Sequence, residues 1–153
     1  ETGFEMSRLS GKDGTYEQST KHAAHGLYAL RIRLSPGEYP GIALEEFCGD
    51  WRGYDTFSFD AYLDGNAPLP ITVRIDDALH DQSYTDRFNK EYVLVPGANT
   101  IVIDLSEIRK APRTRIMDMS RIADICVFSY RLKEPRTLFL DNFRLEKTGI
   151  PRR

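Results

Sequence analysis

Polar side chains that can bind a polyhydroxylated ligand are concentrated between residues 74 and 89. The members of this cluster are Arg74, Asp76, Asp77, His80, Asp81, Tyr84, Asp86, Arg87 and Asn89. Guanidinium and carboxylate groups hydrogen-bond in pairs to adjacent hydroxyl groups, and aromatic faces pack against the C–H surface of a sugar ring. The cluster therefore predicts a binding site for a polyol. The alternative interpretation is a set of cross-strand ion pairs, each contributing under about 1 kcal/mol.

Alternating hydrophobic residues predict that this cluster is carried by β-strands. In residues 71–76 every second position is apolar and β-branched, and Thr72, Arg74 and Asp76 occupy the other positions. This period of two is typical of a half-buried strand. Strand signals also appear at 27–34, 54–63, 84–88, 92–95, 101–105, 125–130 and 138–145. Short, regularly spaced strands without a helical pattern of twelve residues predict an all-β fold, a two-sheet antiparallel β-sandwich of the jelly-roll kind.

Length and charge restrict the class of protein. The 153 residues fit one domain, which we place at 1–148, with a linker stub at 149–153 inside a larger polypeptide. The formal net charge is -2, so the sequence lacks the surplus of basic residues that a nucleic-acid partner requires. No apolar run approaches the roughly 20 residues of a membrane span, so we expect no membrane insertion.

Two cysteines, Cys48 and Cys126, are either buried free thiols or a single bridge.

A series of short motifs extends over nearly the whole chain. In order, they are Phe4-Glu5, Gly26-Leu27-Tyr28-Ala29-Leu30, Trp51-Arg52-Gly53-Tyr54-Asp55, Phe57-Ser58-Phe59-Asp60, Pro96-Gly97-Ala98-Asn99-Thr100, Asp104-Leu105 and Leu138-Phe139-Leu140-Asp141-Asn142-Phe143-Arg144-Leu145. Their order resembles that of carbohydrate-binding modules of the galactose-binding-like jelly-roll type, which are attached to bacterial glycanases.

This resemblance implies a non-catalytic module that binds a polysaccharide or oligosaccharide and targets an attached enzyme or surface protein to it. It also implies an extracellular, periplasmic or cell-surface location. The Trp-Arg-Gly-Tyr-Asp segment is similar to one in the intermediate-associated assembly factor of respiratory complex I. That second resemblance implies the alternative function, a protein-interaction or assembly domain on the same sandwich.

The jelly-roll strand order assumed for such modules assigns the binding residues. It predicts that the strand of Arg31 and Arg33 shares a curved sheet with the strand of Arg74 and the strand that ends at Tyr130. The predicted ligand-binding residues are Arg33, Arg74, Asp76, His80, Tyr84, Arg87 and Tyr130. Tyr39 is expected at the rim, whereas Trp51 is either a rim residue or a plug of the core. Four clustered arginines, Arg31, Arg33, Arg74 and Arg87, would favour an acidic or sulfated glycan.

The resemblance also implies a structural calcium ion between the first and last strands. Glu5 and Asp141 would bind it, and backbone carbonyls of residues 21–26 would complete the six to eight oxygen ligands that calcium requires. Two alternatives stay open. Asp141 could bond to neighbouring backbone while Glu5 is solvated, or the ammonium of Lys21 could take the place of the ion.

Enzyme motifs do not appear in the sequence. It has no Gly-x-Ser-x-Gly elbow, no His-Glu-x-x-His pair and no phosphate-binding glycine loop. A paired-carboxylate glycosidase site at Asp76 and Asp86 is the remaining catalytic alternative, since such pairs lie roughly 5 to 9.5 Å apart. We therefore expect no catalytic residues.

Overall fold

Ten β-strands and one short helix make up the fold. The computed structural model describes residues 8–45 and 49–149. The strands are β1 (Leu9–Lys12), β2 (Gly14–Ser19), β3 (Ala29–Leu34), β4 (Gly41–Leu44), β5 (Thr56–Leu63), β6 (Leu69–Asp77), β7 (Phe88–Leu94), β8 (Gly97–Asp104), β9 (Ile122–Phe128) and β10 (Arg136–Glu146), and the helix is α1 (Leu105–Lys110). Among the described residues, no helix has the length and hydrophobicity needed to span a membrane.

The strands form two antiparallel five-stranded sheets packed face to face. Sheet 1 has the order β1-β4-β9-β6-β7, and sheet 2 has the order β2-β3-β10-β5-β8. The apolar residues of each alternating pattern face the space between the sheets, because neighbouring side chains on a strand point to opposite faces. The core includes Ile32, Leu34, Phe59, Leu63, Ile71, Val73, Ile75, Ile103, Val127, Leu138 and Leu140. The predicted two-sheet antiparallel sandwich is confirmed.

Trp51 is a core residue. Its side chain is buried, and its ring stacks on Phe57 with centroids 4.8 Å apart. Of the two positions considered for this residue, the core plug is therefore confirmed. The rim position is wrong.

Three strands lack the alternating pattern that identified the others. β1, β2 and β4 are short and contain Gly11, Gly14 and Gly41, and glycine weakens the strand signal because it has no side chain to pack. The strand predicted at 84–88 is also wrong. Residues Tyr84–Asp86 form a 3-10 turn, and one continuous strand, β7, begins at Phe88 and includes residues 92–94 of the next prediction.

The strand order corrects one predicted group of site residues. Arg31 and Arg33 lie on β3, which belongs to sheet 2, whereas Arg74 lies on β6 in sheet 1. The expected common sheet for these residues is wrong, and Arg33 is on the opposite side of the sandwich from Arg74. On sheet 2, Glu17 is an acidic neighbour of both Arg31 and Arg33, at 3.6 and 3.9 Å.

The register of sheet 1 arranges its outward side chains in rows across the strands. One row consists of Lys12, Gly41, Phe128, Thr72 and Glu91, and the next consists of Ser10, Ala43, Cys126, Arg74 and Asn89. In both rows the residues on β4 are the smallest. The larger side chains on either side therefore enclose a depression over the middle of the sheet.

Gly41 keeps the floor of this depression close to the backbone. A Cβ at this position would lie 2.3 Å from the Val127 carbonyl oxygen and 2.5 Å from Phe128 Cβ.

We expect Gly41→Ala to lower the free energy of unfolding by about 1–3 kcal/mol, the usual cost of overpacking. Urea denaturation would measure the change. Gly149→Ala is the matched control, because its Cβ would meet nothing within 4 Å, and equal stability of the two variants would contradict this prediction.

Candidate functional site

A groove of about 810 Å³ lies on the outer face of sheet 1. Tyr84 and Arg87 line it where β6 passes into β7, and Tyr39 and Tyr130 line it where β4 begins and β9 has ended. The rows of residues described above form its floor. The groove thus crosses the sheet between two aromatic walls.

Exposed tyrosine rings form the main apolar surface of both walls. Tyr84 is 69% exposed and Tyr130 is 50% exposed. The Arg87 guanidinium lies over the Tyr84 ring, 5.1 Å from its centroid, and the rings of Tyr39 and Tyr130 are 5.3 Å apart. Stacking of this kind orders the rings while leaving part of each ring open to solvent.

Two polar atoms at the start of β7, one of them on the residue just before the strand, lack hydrogen-bond partners beside this groove. They are Nε of Arg87 and Oδ1 of Asn89, both inaccessible to solvent within the described structure. Arg87 and Asn89 are two residues apart, so their side chains leave the same face of β7. One atom is a donor and the other an acceptor, and a buried polar group without a partner costs about 1–3 kcal/mol. Arg87 and Asn89 also line the groove, so a ligand there would lie beside these two atoms.

Arg74 connects the groove to a buried polar cluster beneath it. Its Nε donates to Asp76 Oδ2 at 3.1 Å, and its Nη2 lies 3.3 Å from His80 Nε2. Asp76 is 1% exposed, and the His80 side chain is 3% exposed. These two predicted binding residues do not line the groove; they hold Arg74, which does.

Asp76 also faces a second carboxyl group. Asp124 lies opposite it in the register of β6 and β9, and the two side chains are hydrogen-bonded. Burial and the neighbouring Asp124 raise the pKa of Asp76 to about 6, and Arg74 and His80 oppose this shift. Burial likewise raises the pKa of the Cys126 thiol, in the groove floor, to about 11.

Arg115 holds the connection between β6 and β7, which carries Tyr84. Its guanidinium donates to both oxygens of Asp77, at 2.7 and 2.8 Å, and to both oxygens of Asp86, at 2.7 and 3.0 Å. Burial alone would raise the pKa of Asp77, but hydrogen bonds from Arg115 and from backbone amides lower it. Hydrogen bonds from Arg115 also lower the pKa of Asp86 to about 2. No pattern in the sequence indicated Arg115.

These bonds leave Asp86 poorly placed to bind a metal ion or to act in the paired-carboxylate site that the sequence left open. His80, Asp81 and Asp86 have ligand-type atoms within 4.8 Å of one another. Both Asp86 oxygens, however, already bond to a guanidinium, whose charge opposes a bound cation. Asp86 also does not line the groove, so the Asp76 and Asp86 pair is not presented to a ligand there.

Asp141 fixes the loop of residues 20–28 onto sheet 2. Its Oδ2 accepts from the backbone amides of Ala24 and His25, at 2.7 and 2.8 Å, and its Oδ1 accepts from the amide of Asn142 at 2.7 Å. Asp141 thus bonds to neighbouring backbone, as one of the two alternatives to the calcium site expected, and three amide donors use most of the acceptor capacity of its carboxylate. Glu5 and Cys48 lie outside the described residues. The calcium ion stays a prediction.

The structure thus brings together four of the seven predicted binding residues at the groove. Arg74, Tyr84, Arg87 and Tyr130 line it, and Tyr39 is at its rim as expected. The sequence analysis did not identify Lys12, Gly41, Ala43, Thr72, Glu91, Phe128 and Cys126, which also line it. The alternation of 71–76 and 125–130 could have indicated Thr72, Cys126 and Phe128. No comparable signal exists for the residues of β1 and β4.

Replacing Arg115 tests the role of the ion-pair cluster. We expect Arg115→Met to lower the free energy of unfolding at pH 7 by about 3 kcal/mol, because it leaves the buried Asp77 carboxylate unpaired. Arg115 is 25% exposed, so the effect belongs at the low end for a buried pair. Since the folded pKa values of Asp77 and Asp86 are lowered, this contribution is present above the usual carboxyl pKa near 3.9 and is lost toward pH 2.

Urea titrations of the wild type and of Arg115→Met between pH 7 and pH 2.5 measure this difference in the free energy of unfolding. It should shrink steadily below pH 4. The control is Arg121→Met, which breaks an exposed ion pair with Asp118 and should change stability far less. A difference that does not depend on pH would show that Arg115 acts through packing instead.

Replacing Asp141 tests the attachment of the 20–28 loop. We expect Asp141→Ala to lower the free energy of unfolding by about 2 kcal/mol or more, because three amides lose a charged acceptor. Amide hydrogen exchange at Ala24 and His25 should accelerate, whereas Asp64→Ala, at an exposed position, should leave it unchanged.

Calcium added after chelation tests the ion separately. A rise in the melting temperature of the wild type that Asp141→Ala abolishes would support the calcium site.

Comparisons with known proteins identify the fold. No family model matches the sequence, and no curated protein matches it significantly. A family 11 carbohydrate-binding module from Clostridium thermocellum, solved with a β-1,3-1,4-mixed-linked tetrasaccharide, is similar at a TM-score of 0.70 and 15% identity, covering 92% of this chain and 89% of the module. A family 30 module of a cellulosomal cellulase from Clostridium thermocellum gives a TM-score of 0.57 at 16% identity, covering 94% of this chain and 88% of the module.

A larger enzyme contains the same fold. An exo-β-agarase structure is similar at a TM-score of 0.76 and 14% identity over 94% of this chain, which spans 23% of the agarase chain. The predicted resemblance is therefore confirmed for the fold. This chain has the jelly-roll sandwich found in carbohydrate-binding modules.

Proposed function

We propose that this domain is a non-catalytic module that binds a neutral polysaccharide in the groove of sheet 1. The observation that carries the proposal is the combination of exposed Tyr84 and Tyr130 rings in the two walls with polar side chains between them, among them Arg74 and Asn89. A sugar offers the two complementary features. Its hydroxyl groups satisfy the polar atoms, and its C–H faces pack on Tyr84 and Tyr130.

The charges around the groove support a neutral glycan. Lys12, Arg74, Arg87 and Lys90 line it, but Glu45 and Glu91 line it as well. Lys90 is also paired with Glu107, and Asp76 lies beneath Arg74. The argument for an acidic or sulfated glycan depended on Arg31 and Arg33, which are on the other sheet.

The proteins with a similar fold support the same ligand class and a tethered role. One was solved with a β-1,3-1,4-mixed-linked tetrasaccharide, and another is an agarase of which this fold is about a quarter. We propose that this domain likewise belongs to a larger polypeptide and holds it against its glycan. Tethering raises the local concentration of glycan, so a weak intrinsic affinity is sufficient. A role on extracellular glycan would place the domain outside the cell or at its surface.

The protein-interaction alternative predicts a different kind of surface. A domain that docks a protein usually has an apolar interface centre with few charged residues. The groove instead combines arginine, glutamate and asparagine with separated tyrosine rings. These features fit a sugar chain better than an apolar protein segment.

Affinity electrophoresis tests the proposal. Native gels would contain mixed-linkage β-glucan, agarose, xylan or an acidic polysaccharide such as polygalacturonate. We expect one neutral polysaccharide to retard the domain. Tyr84→Ala and Tyr130→Ala should each weaken binding by up to about tenfold, since one aromatic contact contributes about 0.5–1.5 kcal/mol. Tyr28→Ala is the control, because Tyr28 is exposed but lies next to β3 of sheet 2.

Three results would contradict the proposal. Retardation by the acidic polysaccharide alone would exclude a neutral ligand. Equal loss of binding in Tyr28→Ala would place the ligand elsewhere on the domain. Failure of every polysaccharide to retard a folded domain would favour the protein-interaction alternative.

A further inference from the structure

Asp76 and Asp124 form a hydrogen-bonded pair of carboxyl groups below the groove. They lie opposite each other in the register of β6 and β9, and Asp76 is 1% exposed. An ionised carboxylate has acceptors only, so a hydrogen bond between two carboxyl groups requires a proton on one of them. Register and burial place the two carboxyl groups side by side, and a proton held at Asp76 lets it hydrogen-bond to Asp124.

Charged and titratable groups from every neighbouring element face the pair. Arg74 comes from β6, His80 from the loop that follows it, and Arg87 from the residue just before β7. On the other side, β9 contributes Cys126 as well as Asp124, and Glu45 follows the end of β4. Asp77, the next residue on β6, is bound by Arg115 instead. The pair is therefore set between cations on one side and a further carboxylate on the other.

Arg74 joins the pair to the ligand groove. Its guanidinium lines the groove and also bonds to Asp76. A sugar that accepts a hydrogen bond from Arg74 competes with Asp76 for this cation. A sugar in the groove also excludes water from the polar layer beneath it. Both changes make the ionised form of Asp76 less favourable.

We propose that the Asp76 and Asp124 pair positions Arg74, and that glycan binding in the groove takes up a proton at this pair. The inference rests on the proposed function and adds a regulation to it. Asp76 and Asp124 are positioning residues, because they act on the ligand through Arg74. Binding therefore becomes tighter as the pH falls.

The pH range follows from the pKa of Asp76. In the free domain this pKa is raised to about 6, and both effects of the ligand raise it further. Affinity should increase as the pH falls through the interval between the bound and the free pKa, and should level off below about pH 6. A shift of one unit allows at most a tenfold change. We expect binding to be about three- to tenfold tighter at pH 5.5 than at pH 8.

Calorimetry in two buffers measures the proton directly. The ligand is the polysaccharide of the panel (mixed-linkage β-glucan, agarose or xylan) that retards the domain most. At pH 6.5, phosphate and imidazole buffers have different ionisation enthalpies, so proton uptake makes the observed heats differ. In Asp124→Asn the side-chain amide can donate to an ionised Asp76 without a titrating proton. This variant should show equal heats in both buffers and an affinity that does not change with pH.

His80→Asn is the second variant, because a histidine side chain can also titrate in this range. Proton uptake that persists in His80→Asn and vanishes in Asp124→Asn supports the pair. The opposite result would assign the proton to the histidine and overturn the inference. Equal heats in the wild type would overturn it and leave the proposed function intact. Failure of every polysaccharide to bind would overturn both.

Nuclear magnetic resonance of the free domain tests the pair without a ligand. The carboxyl carbon shift of Asp76, followed from pH 3 to pH 8, should titrate with a pKa raised to about 6. A titration of Asp76 near the usual aspartate pKa of about 3.9 would overturn the inference. This measurement also remains valid if a variant loses stability, because it uses the wild-type protein.

Discussion

The strand register of sheet 1 is the constraint on which the groove depends. β6 pairs with β9 and β7, so that Arg74 stands beside Cys126 on one neighbour and Asn89 on the other. The apolar residues between these positions fill the core and fix the register. A slip of one residue would turn Arg74 inward and Val73 outward. Burial of the core thus determines which side chains form the floor of the groove.

The polar layer below the groove gives it a defined shape. Arg115 joins Asp77 to Asp86 and so fixes the connection that carries Tyr84, and Asp76 holds Arg74. Buried ion pairs contribute little net stability, because desolvation offsets much of their attraction. Their effect here is on orientation. They hold the Tyr84 wall and the Arg74 guanidinium in place before any ligand arrives, which lowers the entropy lost on binding.

The outer faces of the two sheets differ in what covers them. On sheet 2 the 20–28 loop crosses the centre of the sheet, where His22 stacks on Tyr62 with centroids 3.5 Å apart, and Phe139 is only 2% exposed. Asp141 fixes this loop through the amides of residues 24 and 25. On sheet 1 the corresponding face carries the groove. One sandwich therefore has a covered face and an open one, although both sheets have five strands.

The sequence by itself determined the fold class and most of the chemistry of the site. Alternation over long strands indicated β3, β5, β6, β8, β9 and β10, because a core face and a solvent face impose a period of two. The same alternation placed Arg74 outward, and composition indicated Tyr84 and Arg87. Only the tertiary structure decided that Arg33 belongs to the other sheet and that Gly41 forms the floor. Sheet membership depends on pairing between distant segments, and a glycine in a short strand leaves no periodic signal to reveal it.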